Sequence, residues 1–476
     1  MADVIVVGGG PTGLLLASEL RLAGAEPLVL EAAAERDRRT RGLGLRGING
    51  RSVQTLALRG LEEPLRAAQS AMFDEPAGTP TDGVGRFVTM HRAGRRMRGH
   101  FAGLPLVDDE PGPGPVNLLL KQYLLEDVLA AHARALDVRI EPGWQVSDVV
   151  DEGDAVVAVA ADGRTERAAY LVGCDGGRSV VRKRTGIAFG GTEATMTGRT
   201  AVAELTDPGA LTSSLRGPGG LLNLSLVPGE IATIEFDGGP SERDTPVTAR
   251  ELEDSIRRVS GVDVEVARLG AAIRYSDNTR QAQTYRSGRI LLAGDAAHVH
   301  SPIGGQGLNL GLQDAVNLGW KLGLVVRGLA DESFVDTYTA ERHPVAEQVL
   351  RATRAQVALM RPGPQVDALR EIFGETLAMP EVKARFTAMV NGLDIDYAPD
   401  VPSLVGRFTP VPVDLADGRP VLITDSPVAG YEDRLRIVPG ERPLLVRPDG
   451  YVAWAGGDGL RDALAMWFGA PAAVAA

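Results

Sequence analysis

The chain has 476 residues, 44% hydrophobic and 24% charged, with a formal net charge of −12 and a sequence pI near 5.2. That acidity argues against a nucleic-acid surface, and no apolar run approaches the ~18 residues a membrane helix needs, so a cytoplasmic protein with no nucleic-acid or membrane partner is expected. The length allows about three domains at roughly 150 residues each, and the single cysteine, Cys174, excludes an internal disulfide and a cysteine-based zinc site. The opening MADVIVVGGG carries no basic region ahead of its apolar run, so no signal peptide is expected.

Residues 3–7 (DVIVV) form a continuous apolar run that predicts a buried strand, followed by Gly8-Gly9-Gly10-Pro11-Thr12-Gly13 and an amphipathic LLLASELRLAG. Gly8, Gly10 and Gly13 fit G-x-G-x-x-G between a strand and a helix. The first glycine permits the turn, the second lets a pyrophosphate approach the backbone, and the third lets helix pack on strand. A second strand over 27–30 ends in Glu31, eighteen residues beyond Gly13, placed to accept from ribose hydroxyls. A nucleotide site follows, without separating FAD from NAD.

Residues 36–59 are rich in arginine, and most of these read as a solvated loop and helix face; Arg41, just past the second strand, is the one placed on cofactor phosphate. Residues 74–118 read as irregular, with a basic patch at 91–100, and 118–136 as a helix carrying Gln122 and Glu126 one turn apart, Gln122 being a candidate cofactor contact. Alternating stretches at 146–159 and 167–172 predict a meander running into LVGCDGGRSVVRKRTGI, where Asp175-Gly176 follows a strand and precedes a helix. Cys174, among apolar neighbours and without a partner cysteine, reads as a small buried hydrophobe. Strands are expected at 200–206, 221–227 and 231–236 with a helix near 247–260, a block with no catalytic signature that fits a sheet covering a substrate.

The stretch 289–311, RILLAGDAAHVHSPIGGQGLNLG, delivers Gly294-Asp295 at the end of a buried strand, then a loop with Pro302 and glycines 304, 305 and 307, then a helix with Leu308, Leu312, Val316, Trp320 and Leu324 spaced four apart. Glycines before a helix leave free N–H groups with the positive end of the helix dipole behind them, a seat for an anion. A carboxylate beside such a seat suits a polyol on one side and developing negative charge on the other, which a reduced flavin with its ribityl chain provides. His298 and His300 have metal-like spacing but no third ligand, so loop packing is the preferred reading. Residues 335–395 are helical, and from 400 onward short strands near 420–423, 435–438, 444–446 and 452–454 precede a helix at 460–468.

Three signatures in order, Gly8 to Gly13 with Glu31, Cys174-Asp175-Gly176 with Arg178-Ser179, and Gly294-Asp295-Ala296-Ala297-His298 with Pro302 and 304–309, resemble the single-component FAD-dependent aromatic hydroxylases of the p-hydroxybenzoate hydroxylase fold. Runs such as RGLGL (41–45), AAYLVGCDGGRSVVRK (168–183), QDAVNLGWKLG (313–323) and LVRPDGYVAWA (445–455) resemble the branch acting on aromatic polyketides, the angucycline hydroxylases in particular.

The resemblance implies an α/β fold: a Rossmann-type FAD-binding domain over 1–75, 118–187 and 281–395, an inserted β-sheet substrate domain over 76–117 and 188–280, and a thioredoxin-like appendage over 400–476. The appendage has no Cys-x-x-Cys and so no thiol redox role. Gly8, Gly10, Pro11, Thr12, Gly13 and Glu31 would hold the ADP half of FAD with Arg41 and Gln122; Asp295 would take the ribityl chain; Gly305, Gly307, Leu308 and Asn309 would border the flavin pyrimidine, Pro302 the ring, and Asp175 would serve both FAD and NADPH. NADPH or NADH would bind transiently, O2 would be the co-substrate, and oxygen would pass through a flavin hydroperoxide to an aromatic polyketide in antibiotic biosynthesis. No catalytic side chain is assigned, since the flavin does the chemistry. Baeyer–Villiger or antibiotic-inactivating oxygenation on the same scaffold, or a non-catalytic flavin-binding partner protein, are the alternatives. The assembly state stays open, a homodimer being one option.

Overall fold

Four aliphatic runs make the centre of the molecule: β1 (Val4–Val7), β2 (Pro27–Glu31), β3 (Tyr170–Gly173) and β4 (Ile290–Leu292), each buried along its whole length. Strands covered on both faces have no need of polar alternation, which is why they read as continuous hydrophobic runs. The computed structural model describes residues 2–34, 42–74, 97–107, 117–212, 214–224, 229–242 and 245–471. The sheet runs Arg286–Ser287, β4, β3, β1, β2, Arg139–Pro142, with only Arg286–Ser287 antiparallel. Its register sets Val7 opposite both Leu30 and Gly173, and Gly173 opposite Leu292. Gly8, Glu31, Cys174 and Ala293 therefore emerge side by side at one carboxyl edge.

Two helices lie against one another over this sheet, α1 (Pro11–Leu22) and α2 (Gly307–Val326). They approach so closely that a Cβ on Gly319 would lie 2.3 Å from the Glu19 Cβ, and one on Gly323 would lie 2.3 Å from the Ala23 Cβ. The apolar face expected of α2 is only part of its surface: every residue from Asn309 to Gly323 is buried. Leu312 and Val316 enter the main core, while Trp320 packs with Leu435, Leu464 and Phe468 of the C-terminal sheet unit.

Three expectations are corrected. Leu118–Lys121 is a strand paired with Leu45–Ile48, and the helix begins at Gln122, because Leu118 and Leu120 turn inward with a period of two. The region read as irregular contains a hairpin, Met97–Phe101 with Leu104–Val107. Arg51 and Arg59 are not solvated: each is 5% exposed, Arg51 stacked 4.0 Å over Phe408 and Arg59 in a doubly hydrogen-bonded pair with Glu19. Arg41 and residues 91–96 of the basic patch lie outside the described residues.

A second sheet of five antiparallel strands runs Leu215–Gly217, Gly220–Leu224, Glu230–Glu235, Thr197–Leu205, Val266–Ser276. Alternation sorts its faces. Ala201, Ala203, Leu222 and Ile231 pack under helix Ala249–Ser260 through Leu252, Ile256 and Val259. Gly198, Ile234 and Tyr275 belong to the opposite face, where the Tyr275 ring lies on Gly198 so closely that a Cβ there would sit 2.1 Å from the ring. That face also carries Glu230, which accepts a hydrogen bond from the Gly44 N–H at 2.8 Å, and Arg46 lies near Glu230, Tyr275 and Asp295 alike.

The C-terminal sheet runs Arg436–Val438, Val421–Ile423, Leu444–Val446, Val452–Trp454, the first pair parallel and the others antiparallel, with helix Leu460–Phe468 beside it. The crossover between its two parallel strands carries no helix. Among the described residues no helix is long and apolar enough to cross a membrane.

Candidate functional site

The carboxyl edge gathers the three glycine-containing signatures. Gly8, at φ +109°, is forced to be glycine by the neighbouring strand end, since a Cβ would lie 2.4 Å from the Cys174 carbonyl oxygen. Gly13 is forced by packing: its Cβ would be 1.9 Å from the Gly8 carbonyl oxygen. Gly10, the N-cap of α1, has an ordinary φ of −76° and nothing within 4 Å of where a Cβ would be. The space in front of it is open, so packing in the fold does not require a glycine there. Pro11 occupies the first helical position, where a missing N–H costs nothing. Thr12 fits a notch made by glycines of the third signature, its Oγ1 2.9 Å and 2.5 Å from the Cβ positions of Gly294 and Gly311.

Glu31 is 4% exposed, and its carboxylate accepts from the Gly9 N–H and the Ala33 N–H, both at 2.7 Å. It therefore fixes the glycine loop as well as standing at the end of β2. Asp175 caps the helix Val180–Thr185 through Oδ2, which accepts from the Val180 and Val181 N–H groups at 2.7 and 3.1 Å, while Oδ1 is buried with no protein partner. Arg182 ties this signature to the third, donating to the carbonyls of Gly177 (2.8 Å) and Ala296 (2.7 Å).

Asp295 is open to solvent by area, yet burial raises its carboxyl above the ordinary aspartate range against the lowering charges of His298 and Arg46. The carboxylate is thus both accessible to solvent and closely surrounded by protein. Arg46 stands near it: burial lowers its guanidinium, with Glu230 and Asp295 among the carboxylates that oppose this. It donates from Nε to Gln122 Oε1 at 3.2 Å, and Gln122 donates in turn to Glu126 at 2.9 Å. The arginine-rich stretch reads as mostly solvated and nothing local marks Arg46 out: apart from the Leu43 carbonyl, which accepts from Nη1 at 3.0 Å, its hydrogen-bond partner Gln122 is 76 residues away.

After Asp295 the loop turns through Gly304 (φ +91°) and Gly305 (φ +63°) into α2, leaving Pro302 and Gly305 exposed. No side chain caps the start of α2, so the N–H groups of Gly307, Leu308 and Asn309 have no intrahelical acceptor. The Asn309 side chain is committed to the fold: Nδ2 donates to the Gly47 and Gly305 carbonyls, and Oδ1 accepts from the Asn49 N–H. Only its backbone is offered to a ligand.

The two histidines play separate parts. His298 Nε2 lies 2.7 Å from Asp314 Oδ2, whose other oxygen accepts from Arg342 Nε at 2.8 Å, and all three side chains are fully buried. Burial alone would raise the Asp314 carboxyl, but the His298 and Arg342 charges win and hold it below the usual range. Asp314 also accepts from the Gly294 N–H at 3.1 Å, so this triad sets the loop that presents Asp295. Asp314→Ala would leave Arg342 buried without its carboxylate, and a loss of about 3–5 kcal/mol is expected in chemical denaturation. A variant within about 1 kcal/mol of wild type would show the triad to be dispensable. Among the described residues no group of three or more His, Cys, Asp or Glu gathers to hold a metal ion.

Residues 1–353 match the family model described as FAD binding domain, and residues 399–471 the one described as aromatic-ring hydroxylase, C-terminal. The rifampicin monooxygenase of Streptomyces venezuelae is 38% identical over 99% of this chain and 100% of that protein. Among solved structures, the anhydrotetracycline hydroxylase OxyS from Streptomyces rimosus superposes with a TM-score of 0.85 at 36% identity, covering 99% of this chain and 100% of that one. CabE, an aromatic hydroxylase from angucycline biosynthesis, gives a TM-score of 0.81 at 34% identity over 99% of each chain. Over nearly its full length the chain is thus similar to known oxygenases, and it belongs to the FAD-dependent aromatic-ring hydroxylases, as a flavoprotein monooxygenase.

Proposed function

We propose that the protein uses NADPH and O2 to hydroxylate a fused-ring aromatic polyketide, an angucyclinone-type compound being the first to test. The observation that carries this reading is the setting of Asp295. On one side stand the exposed Asp295 and the 302–307 loop, and Ile234 and Tyr275 of the five-stranded sheet pack in one cluster with Ile303 of that loop. Apolar and aromatic side chains of that sheet beside a polar loop suit a planar aromatic next to a cofactor.

The residues present fit FAD. The open space before Gly10 and the N-terminus of α1 suit its pyrophosphate, and Glu31 its ribose. Asp295 suits the ribityl chain, and the first turn of α2 suits the electron-rich edge of the flavin pyrimidine. The unpartnered Asp175 Oδ1 supports a ligand contact for the central signature. When bound, FAD supplies the oxygen activation; the chain binds and orients the aromatic and keeps water out. The segments 1–75, 118–187 and 281–395 would form the cofactor unit, 76–117 and 188–280 the substrate unit.

The test is the visible spectrum of the protein during anaerobic NADPH addition, with and without an angucyclinone. Bleaching much faster with the aromatic supports substrate-gated hydroxylation; bleaching indifferent to it would reject that substrate class. Asp295→Ala is expected to fold and to lose at least about tenfold in FAD affinity; full flavin content with wild-type turnover would remove Asp295 from the site. A second reading, oxidation that inactivates a rifamycin-like antibiotic, is favoured by the 38% identity to the rifampicin monooxygenase, and product mass separates the two.

A further inference from the structure

His300 is held through Nδ1, which lies 2.7 Å from the Ser301 carbonyl oxygen. A carbonyl only accepts, so in the neutral ring the proton sits on Nδ1 and Nε2 presents a lone pair. That Nε2 is buried and has no partner in the protein. It faces Gly307 at the first turn of α2: a Cβ there would lie 3.2 Å from His300 Nε2 and 3.9 Å from Asp295 Oδ1. The glycine leaves a gap with an acceptor on either side. Burial brings His300 down to about 4, against the raising effect of the Ser301 carbonyl, so the ring stays neutral near pH 7. His298 does not share the task, its Nε2 being committed to Asp314.

Buried acceptors are paired in folded proteins, so this lone pair calls for a donor that the chain does not supply. The N–H groups of the α2 first turn are themselves donors and suit a carbonyl or anionic edge; the two acceptors beside them suit hydroxyls. Resting on the FAD reading above, we propose that His300 Nε2 accepts a hydrogen bond from a ribityl hydroxyl of FAD, so that Asp295 and His300 take two hydroxyls of one polyol.

The test measures FAD affinity of the apoprotein by flavin fluorescence for wild type, His300→Leu and His300→Gln, whose Oε1 restores an acceptor near the Nε2 position. His300→Leu is expected to weaken FAD about tenfold, as for one buried hydrogen bond, while His300→Gln stays within about threefold and the apoprotein melting temperatures match. FAD analogues each lacking one ribityl hydroxyl identify the donor: with one of them, the His300→Leu penalty should vanish. Wild-type affinity in His300→Leu overturns the proposal. So does a penalty that persists with every deoxy analogue and disappears instead with N3-methylated FAD, which would make the ring imide the donor. A wild-type protein that takes up no FAD fails at the earlier step, the cofactor reading itself.

Discussion

Gly10→Ala is expected to leave the apoprotein about as stable as wild type and to weaken FAD binding on the order of 100-fold, ~2.7 kcal/mol. Gly13→Ala is expected to compromise folding itself. The two glycines belong to one motif, yet they do different work. At Gly10 the backbone is extended, with φ −76° and ψ −177°, and a methyl group meets nothing within 4 Å, so the fold registers only a small change in helix capping, about 0.5 kcal/mol. The methyl would stand where pyrophosphate must approach the first N–H groups of α1. At Gly13 a Cβ would lie 1.9 Å from the Gly8 carbonyl oxygen, a backbone atom that cannot swing aside, and moving α1 off β1 would disturb its close crossing with α2. A destabilisation above about 3 kcal/mol is expected, in the range of severe core overpacking. Thermal melts of the apoproteins and FAD titrations decide the matter. Gly10→Ala binding FAD as wild type does would remove the pyrophosphate from this loop, and a stable Gly13→Ala would contradict the packing account.

What the sequence made legible is what local pattern encodes. The strand, glycine turn, helix and Glu31 lie within residues 3–31, and Asp295 follows its strand directly, so spacing alone brought them to one edge before the register of β1 to β4 showed how. Leu118–Lys121 escaped because a short aliphatic run carries the same signal in a strand as in a buried helix; pairing with Leu45–Ile48 decides it. Arg51 and Arg59 looked solvated because their partners, Phe408 and Glu19, are set by the tertiary fold. Asp314 and Arg342 were invisible as a pair for the same reason, though Asp314 lies within QDAVNLGWKLG, whose resemblance to family members was already evident.

The C-terminal LVRPDGYVAWA run shows how a resemblance acquires a physical reason. Arg447, 2% exposed, donates from Nη1 and Nη2 to Glu341 at 2.6 and 2.8 Å and from Nε to Asp449 at 3.0 Å, with its guanidinium 4.5 Å over the Trp467 ring. Glu341 also accepts from Lys321 Nζ at 2.8 Å and Asn317 Nδ2 at 2.6 Å. Glu341 lies on α3 (Asp336–Met360), and Lys321 and Asn317 on α2, so one buried cluster locks the C-terminal unit onto the helix that begins beside Asp295. Burial would raise Glu341, but Arg447 and Lys321 together hold its carboxyl far below the ordinary 4.5, while burial brings Lys321 down to about 8 despite Glu341. Arg447→Met keeps the apolar bulk and removes the cation, leaving Lys321 as the cation paired with Glu341 and Asp449 with only the neutral donors Asn317 Nδ2 and the Tyr451 N–H. A loss of about 3–5 kcal/mol near pH 7 is expected, with Trp320 and Trp467 fluorescence moving to the red as the unit loosens. The pH dependence follows from the sign of the shift. A carboxyl whose folded pKa is depressed contributes stability above its unfolded value and loses it as pH falls, so the gap between wild type and Arg447→Met should narrow from pH 7 to about pH 4. Denaturation of both proteins at the two pH values measures it, and a gap that stays constant, or widens in acid, would show that Arg447 acts through packing on Trp467 rather than through Glu341.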